Sequence, residues 1–73
     1  MCVVSNHVTG IFERWGERLR SERQERRLTQ DKVAELARLD TSTVSRVEAG
    51  TAGFAGYVAV AEALDVVLAT RAA

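Results

Sequence analysis

The sequence lacks proline altogether and has a single cysteine, Cys2, in 73 residues. One thiol cannot build an internal disulfide framework, so a reducing cytoplasm is the expected compartment. No apolar run approaches the ~18–20 residues of a membrane span, and residues 1–7 lack the basic and apolar regions of a signal peptide. Length and composition predict one small intracellular domain, and the absence of proline favours helices.

A surplus of charge of one sign is also lacking, because ten Lys and Arg residues balance ten Asp and Glu residues. Nucleic-acid binders usually have a basic surplus, so this balance leaves open a structural adaptor without affinity for DNA. The distribution is uneven, however. Five arginines and two glutamates occur between residues 18 and 27, whereas Arg71 is the only cation after Gly50. The arginine run is either a solvated helix face or a basic patch that faces a polyanion.

The first predicted helix extends from about Gly10 to Arg26. Apolar residues recur there at spacings of three and four, which is typical of one face of an amphipathic helix. These residues are Val8, Phe12, Trp15 and Leu19. Trp15 is at core spacing and is expected to pack inside the domain.

A short second helix is predicted over residues 30–37. Thr29 is a good N-cap, and Asp31 in the first turn suits the positive end of the helix. The residues expected to face inward are Val33, Leu36 and Ala37.

A third helix is predicted over residues 41–48, after Asp40 as its N-cap. It buries only Val44 and Val47, and most of its surface is polar. Gly50 fits the left-handed position that closes a helix, because glycine has no Cβ to clash there.

A fourth helix is predicted from about Phe54 to Leu64, with Tyr57 at core spacing. The β-branched segment from Val66 to Thr70 is too short for a helix and is a plausible terminal strand. The expected fold is therefore all-α: a compact bundle of four to five helices with a possible short C-terminal strand. Residues 1–9 are predicted to be an N-terminal extension, and residues 10–73 the domain.

The segment of about residues 29–50 resembles the helix-turn-helix of the phage repressor and Cro class, also called Xre-like. Gln30 opens the first motif helix, Ala34 is the small residue where the two helices cross, and Ser-Arg-Val-Glu-Ala-Gly closes the second helix. The positions that match the buried sites of the motif are Val33, Ala37, Leu39, Val44 and Val47. The resemblance covers roughly residues 19–64.

This resemblance implies that the third helix enters the major groove of double-stranded DNA, which admits one α-helix. In the family the first, second and sixth residues of this helix commonly contact base edges. They correspond here to Thr41, Ser42 and Arg46, and Ser45 is a further candidate. Arg46 can bind guanine O6 and N7 bidentately, or can instead pair with a carboxylate or a phosphate. For Thr41 and Ser42 the alternative role is helix capping.

Contacts to the DNA backbone are expected around this helix. Gln30 matches the family position that holds a phosphate and braces the recognition helix, at a helix N-terminus that itself attracts anions. The other candidates for phosphate contact are Thr43, Thr51, Arg18, Arg20 and Arg27. Arg23 and Glu48 match family positions that often form a buried ion pair, and their expected role is structural.

One residue departs from the family pattern. The turn between the motif helices usually contains glycine, and Arg38 occupies that place here. If the turn requires a positive φ, arginine costs roughly 1 kcal/mol or more there; the alternative is a variant turn.

The C-terminal third has more apolar residues than a small core absorbs. A surplus of this kind usually marks a partner site, and family members usually dimerise so that two recognition helices lie ~34 Å apart. The predicted dimer interface comprises Phe54, Tyr57, Val58, Val67 and Leu68.

No catalytic motif is present, and His7 and Cys2 have no ligand partners at metal-binding spacing, so neither an enzyme nor a cofactor is expected. The leading hypothesis is a cytoplasmic, nucleoid-associated transcriptional regulator, bacterial or phage-encoded. It would be a repressor that binds a palindromic operator as a homodimer, in the manner of a Cro protein, a controller protein or an antitoxin. The alternative is an antitoxin-like module that neutralises a toxin or enzyme partner, with DNA binding secondary. No membrane partner is expected.

Overall fold

The chain forms four helices in the computed structural model, which describes the backbone of residues 2–68 and the side chains of residues 10–68. The helices are α1 (Cys2–Glu25), α2 (Gln30–Ala37), α3 (Thr41–Ala49) and α4 (Phe54–Leu64). The predicted all-α class is confirmed, and α2, α3 and α4 lie where the sequence places them. No helix within the described part is both long and apolar enough to cross a membrane.

Helix α1 begins at Cys2, earlier than the predicted start near Gly10. Apolar spacing marks only the part of a helix that covers a core, whereas the helical backbone can extend beyond that part, and no proline interrupts it before Gly10. The predicted extension, residues 1–9, is therefore helical from Cys2 onward. The expectations for the side chains of Cys2, His7 and Val8 fall outside the described side chains.

The core is a single cluster to which all four helices contribute. Among residues 10–68, ten apolar residues are buried in it: Trp15, Leu19, Val33, Ala34, Val44, Val47, Tyr57, Val60, Ala61 and Leu64. Phe12 of α1 stacks on the ring of Tyr57, with their centroids 4.9 Å apart. The central position of Tyr57 and Trp15 agrees with their predicted packing role.

Tyr57 cannot also belong to the predicted dimer interface, because its side chain is fully buried within one chain. Its hydroxyl accepts a hydrogen bond from the backbone N–H of Ala52 (3.3 Å). Burial raises the pKa of Tyr57 above its ordinary value, because the charged phenolate loses hydration. The assignment of Tyr57 to the dimer interface is therefore wrong. A helix face predicts which residues share a side, not whether the chain itself already covers that side.

Leu36 is also misplaced by the sequence pattern, since half of its surface is exposed. Helix α2 has only about two turns, and it packs on its neighbours through Val33, Ala34 and, in part, Ala37. Those three residues form one stripe, and Leu36 lies to one side of it.

The chain after α4 does not form the predicted strand in the part that the structure describes, which ends at residue 68. Asp65 adopts a left-handed conformation (φ 56°), and the N–H of Val66 donates to the carbonyl of Ala61 (2.9 Å). Val66 and Leu68 then pack against the core individually. A strand needs a neighbouring strand for its backbone hydrogen bonds, and residues 10–68 offer none. Residues 69 and 70 of the prediction lie outside the described part.

The turn between α2 and α3 retains a left-handed geometry although it has no glycine. Arg38 has φ 60° and ψ 45°, and its N–H points at the carbonyls of Ala34 and Glu35. The N–H of Leu39 donates to the carbonyl of Ala34 (2.8 Å), which completes the helix end. The alternative, a turn without a positive φ, is therefore excluded. Arg38 adopts a left-handed conformation that is unfavourable for residues with a Cβ.

We expect Arg38→Gly to raise the free energy of unfolding by about 1 kcal/mol, because glycine adopts this conformation without strain. Urea denaturation followed by circular dichroism measures the change. A matched control is Arg18→Gly on the exposed face of α1, where glycine should lower the stability by about 1 kcal/mol. Losses of equal size in both variants would show that Arg38 carries no strain.

Candidate nucleic-acid interface

Helix α2 starts from a hydrogen-bonded side-chain cap, whereas α3 does not. The Thr29 hydroxyl accepts a hydrogen bond from the N–H of Lys32 (3.0 Å), as expected for an N-cap. Asp40 occupies the N-cap position of α3, but its side chain makes no capping hydrogen bond. The backbone carbonyl of Asp40 instead accepts from Thr43 and Val44, at 3.0 and 3.2 Å. The Asp40 carboxylate therefore stays at the surface beside the start of α3.

Helix α3 has one buried stripe and a wide polar surface. Val44 and Val47 are fully buried and fasten the helix to the core. The four predicted base-contacting residues lie outside this stripe and are all exposed: Thr41, Ser42, Ser45 and Arg46. The structure thus brings them together on the solvent face of one short helix.

Arg46 points its guanidinium into solvent apart from one long hydrogen bond, from Nη2 to the Thr43 hydroxyl (3.5 Å). No carboxylate among residues 10–68 pairs with it. Among residues 10–68, Arg46 therefore does not pair with a carboxylate, which was one of its two alternative roles. Most of its five N–H donors remain available to an external acceptor.

Glu48 of α3 joins its own helix to α1 and α2. Its carboxylate accepts from Arg23 of α1 (Nε, 2.6 Å; Nη2, 3.1 Å) and from Gln30 Nε2 of α2 (3.0 Å). Arg23 also donates through Nη1 to the carbonyl of Leu28 (2.8 Å). The Glu48 side chain is only 6% exposed, so its charge is compensated inside the protein. We call Arg23, Gln30 and Glu48 the Glu48 cluster.

A close approach of α1 to α3 was missed in the sequence. A Cβ on Gly16 would lie 2.5 Å from the carbonyl oxygen of Val47 and 2.7 Å from that of Glu48. The backbones therefore touch at the end of α3, directly beside the Glu48 cluster. A glycine inside an otherwise strong helical pattern was the available signal, because such a glycine often marks a close approach.

A polar cleft of about 300 Å³ opens where α1, α2 and α3 meet. Its lining comprises Arg20, Arg23, Gln30, Ser45, Glu48 and Ala49. Three residues predicted separately for DNA contact, Arg20, Gln30 and Ser45, are thus neighbours. Arg20 is exposed, while Arg23 and Glu48 neutralise each other beneath it.

The remaining predicted phosphate contacts are scattered. Arg18 pairs with Glu22 (3.4 Å), which also pairs with Arg26, and Arg26 in turn donates to the carbonyl of Leu64 at the end of α4. Arg18 therefore lies on a different face of α1 from Arg20. Arg27 lies in the left-handed turn after α1 (φ 57°).

Two further candidates for phosphate contact lie in α3 and just after it. Thr43 is partly buried, and Thr51 is exposed just beyond the helix. The backbone N–H of Thr51 donates to the carbonyl of Arg46 (2.9 Å). Thr51 is thereby held beside the C-terminal end of α3.

A second contact was not anticipated from the sequence. The hydroxyl of Thr41 donates to Asp31 Oδ1 across the two motif helices, at 2.6 Å. Both residues are exposed, so this hydrogen bond lies at the surface where α3 begins.

An apolar groove of about 270 Å³ lies between α1 and α4 and contains no residue of α2 or α3. It is lined by Trp15, Phe54, Val58, Ala61 and Leu68. Phe54 is 60% exposed and the adjacent Val67 is 86% exposed. Of the predicted dimer residues, Phe54, Val58, Val67 and Leu68 thus remain at least partly accessible.

Comparison with known proteins agrees with this geometry. A family model described as a helix-turn-helix domain matches residues 14–73, which includes all of α2, α3 and α4. No curated protein and no solved structure matches the chain.

Proposed function

Because the chain belongs to the family of helix-turn-helix domains, we propose that it is a sequence-specific transcriptional regulator of the phage repressor and Cro type. One observation carries the proposal: the exposed polar face of α3 is held rigidly by Val44 and Val47 from below and by the Glu48 cluster at its end. A helix presented in this way can enter the major groove as a fixed unit.

Base recognition is assigned to the exposed side chains of α3. Arg46 would donate two hydrogen bonds to O6 and N7 of guanine, which is the commonest specific contact of arginine in the major groove. The short side chains of Thr41, Ser42 and Ser45 would contact bases nearer the N-terminal end, where the helix approaches the groove most closely. Their small size allows that approach.

Phosphate contacts would come from the polar cleft and from residues that flank α3. Arg20 supplies the accessible charge of the cleft, and Gln30 lies at the N-terminus of α2, where backbone N–H groups attract an anion. Thr43 within α3 and Thr51 just beyond its C-terminal end would add hydroxyl groups. A zero net charge is compatible with this arrangement, because DNA meets only one face of the domain.

The apolar groove supports a homodimer that binds a palindromic operator. One half-site read by a short helix gives weak binding, and a second copy doubles the contacts. Phe54, Val58 and Val67 expose the apolar surface that such a contact would bury. As a bound dimer the protein would act as a repressor by blocking access to its operator.

We expect Arg46→Ala to weaken binding to the preferred duplex by roughly ten- to a hundred-fold and to abolish the preference for guanine at one position of each half-site. Selection from a pool of random duplexes identifies the preferred sequence, and fluorescence anisotropy measures affinity. Arg20→Ala is the matched control: it should weaken all sequences alike and lower the slope of log K against log salt by about one. Unchanged specificity in Arg46→Ala would refute this role.

A second candidate function is supported by the same apolar groove. An antitoxin-like module would use Phe54, Val58 and Leu68 to bind a toxin or enzyme instead of a second copy. The molar mass of the purified chain in solution separates the two functions. A dimer at micromolar concentration supports the regulator, whereas a monomer that enriches no sequence from the duplex pool supports the protein-binding module.

A further inference from the structure

We infer that Asp31 determines which bases Thr41 accepts, because its carboxylate accepts the one hydrogen bond that the Thr41 hydroxyl can donate. The inference rests on the proposed function, because it concerns how α3 reads DNA. Its basis is the hydrogen bond from Thr41 Oγ1 to Asp31 Oδ1, at 2.6 Å between the first turns of α3 and α2. Asp31 is thereby a positioning residue that acts through Thr41.

The hydrogen bond to Asp31 determines whether Thr41 acts as a donor or as an acceptor toward DNA. A threonine hydroxyl has one proton and two acceptor lone pairs, whereas an ionised carboxylate only accepts. A hydrogen bond to a charged oxygen is roughly twice as strong as one between neutral groups. The Thr41 hydroxyl therefore donates to the Asp31 carboxylate in preference to a neutral acceptor atom on a nucleotide base. Thr41 is left with lone pairs and a methyl group to present to DNA.

Only some base edges complement such a group. Adenine N6 and cytosine N4 donate in the major groove, and the thymine methyl gives an apolar contact, whereas guanine offers only acceptors there. The base that Thr41 contacts should therefore present an amino group in the major groove, as adenine and cytosine do, and guanine should be disfavoured.

Other groups near the start of α3 do not replace Asp31. The Asp40 carboxylate caps nothing and is not bonded to Thr41. Glu35, also on α2, pairs instead with Lys32 (3.2 Å) at the exposed surface. Glu35→Ala therefore removes the same charge from the same helix without touching α3, which makes it a matched control.

The test compares base preferences after selection from random duplexes for the wild-type chain and four variants: Asp31→Ala, Thr41→Val, their combination and Glu35→Ala. The wild-type chain should favour adenine or cytosine over guanine by about five-fold at the Thr41 position, as expected for one net hydrogen bond. In Asp31→Ala the Thr41 hydroxyl can either donate to a base or accept from one, so this ratio should fall close to one. Glu35→Ala should keep the wild-type ratio.

The double variant tests whether Asp31 acts on base preference through the Thr41 hydroxyl. Once Thr41→Val has removed the hydroxyl, adding Asp31→Ala should leave the base profile unchanged. A wild-type ratio in Asp31→Ala, or an equal effect of Asp31→Ala with and without the hydroxyl, would overturn the inference while leaving the proposed function intact. If the wild-type chain enriches no sequence at low salt, the proposed function fails and the inference fails with it. Circular dichroism of each variant verifies that the helices are retained.

Discussion

Glu48→Ala is expected to lower the free energy of unfolding by roughly 3–5 kcal/mol, because it leaves the largely buried Arg23 side chain, which is 14% exposed, without its counter-charge. Glu48 accepts three hydrogen bonds, from Arg23 Nε, Arg23 Nη2 and Gln30 Nε2. The total stability of small domains is about 5–15 kcal/mol, so the variant should be largely unfolded at moderate urea concentrations. Urea denaturation followed by circular dichroism measures the loss.

Two controls separate this loss from a general effect of removing a carboxylate. Glu35→Ala breaks the exposed pair with Lys32 and should change stability by less than about 1 kcal/mol. The double variant Arg23→Met/Glu48→Leu removes both charges and should recover most of the stability lost by Glu48→Ala, because no charge remains buried. A loss below about 1 kcal/mol for Glu48→Ala would contradict the assigned role of the Glu48 cluster.

Gly16→Ala is expected to destabilise the fold by about 3 kcal/mol although alanine is the better helix former. The new Cβ would lie 2.5 Å from the carbonyl oxygen of Val47 and 2.7 Å from that of Glu48. Both atoms belong to the backbone and cannot rotate aside, so α1 must move away from α3. The same displacement would pull Arg23 from Glu48.

Gly10→Ala in the same helix is the matched control, because only the far end of Arg14 comes within 3.9 Å of its new Cβ. This variant should gain about 0.5–1 kcal/mol from helix propensity. Thermal and urea unfolding of both variants give the comparison. Equal gains in the two variants would refute the close contact at Gly16.

Local signals were sufficient for the shorter helices and their ends. Thr29 as a cap, Gly50 as a terminator, and the buried pair Val44 and Val47 predict α2 and α3 from spacing alone, since caps and stripes act within one or two turns. The relation between Arg23 and Glu48 came only from the family resemblance. Twenty-five residues separate them, and no local pattern connects them.

Features that depend on how helices cross were not accessible from the sequence. The sequence shows Gly16 only as a glycine within a helical pattern, and its close contact with α3 is visible only in the folded chain. Asp31 contacts Thr41 only because the first turns of the two motif helices lie side by side. Tyr57 and Leu36 show the same limit. Periodicity groups residues on one face, but the packing of neighbouring helices decides which face is covered.

We propose that the exposed face of α3 is the surface that contacts DNA. Backbone amide chemical shifts of the isotope-labelled chain, recorded with and without a duplex selected from the random pool, test it directly. We predict that the largest changes occur at the first turn of α2 and along Thr41 to Arg46, with Gln30 and Arg20 also affected. Changes concentrated instead at Phe54, Val58 and Leu68, with α3 unaffected, would contradict the claim.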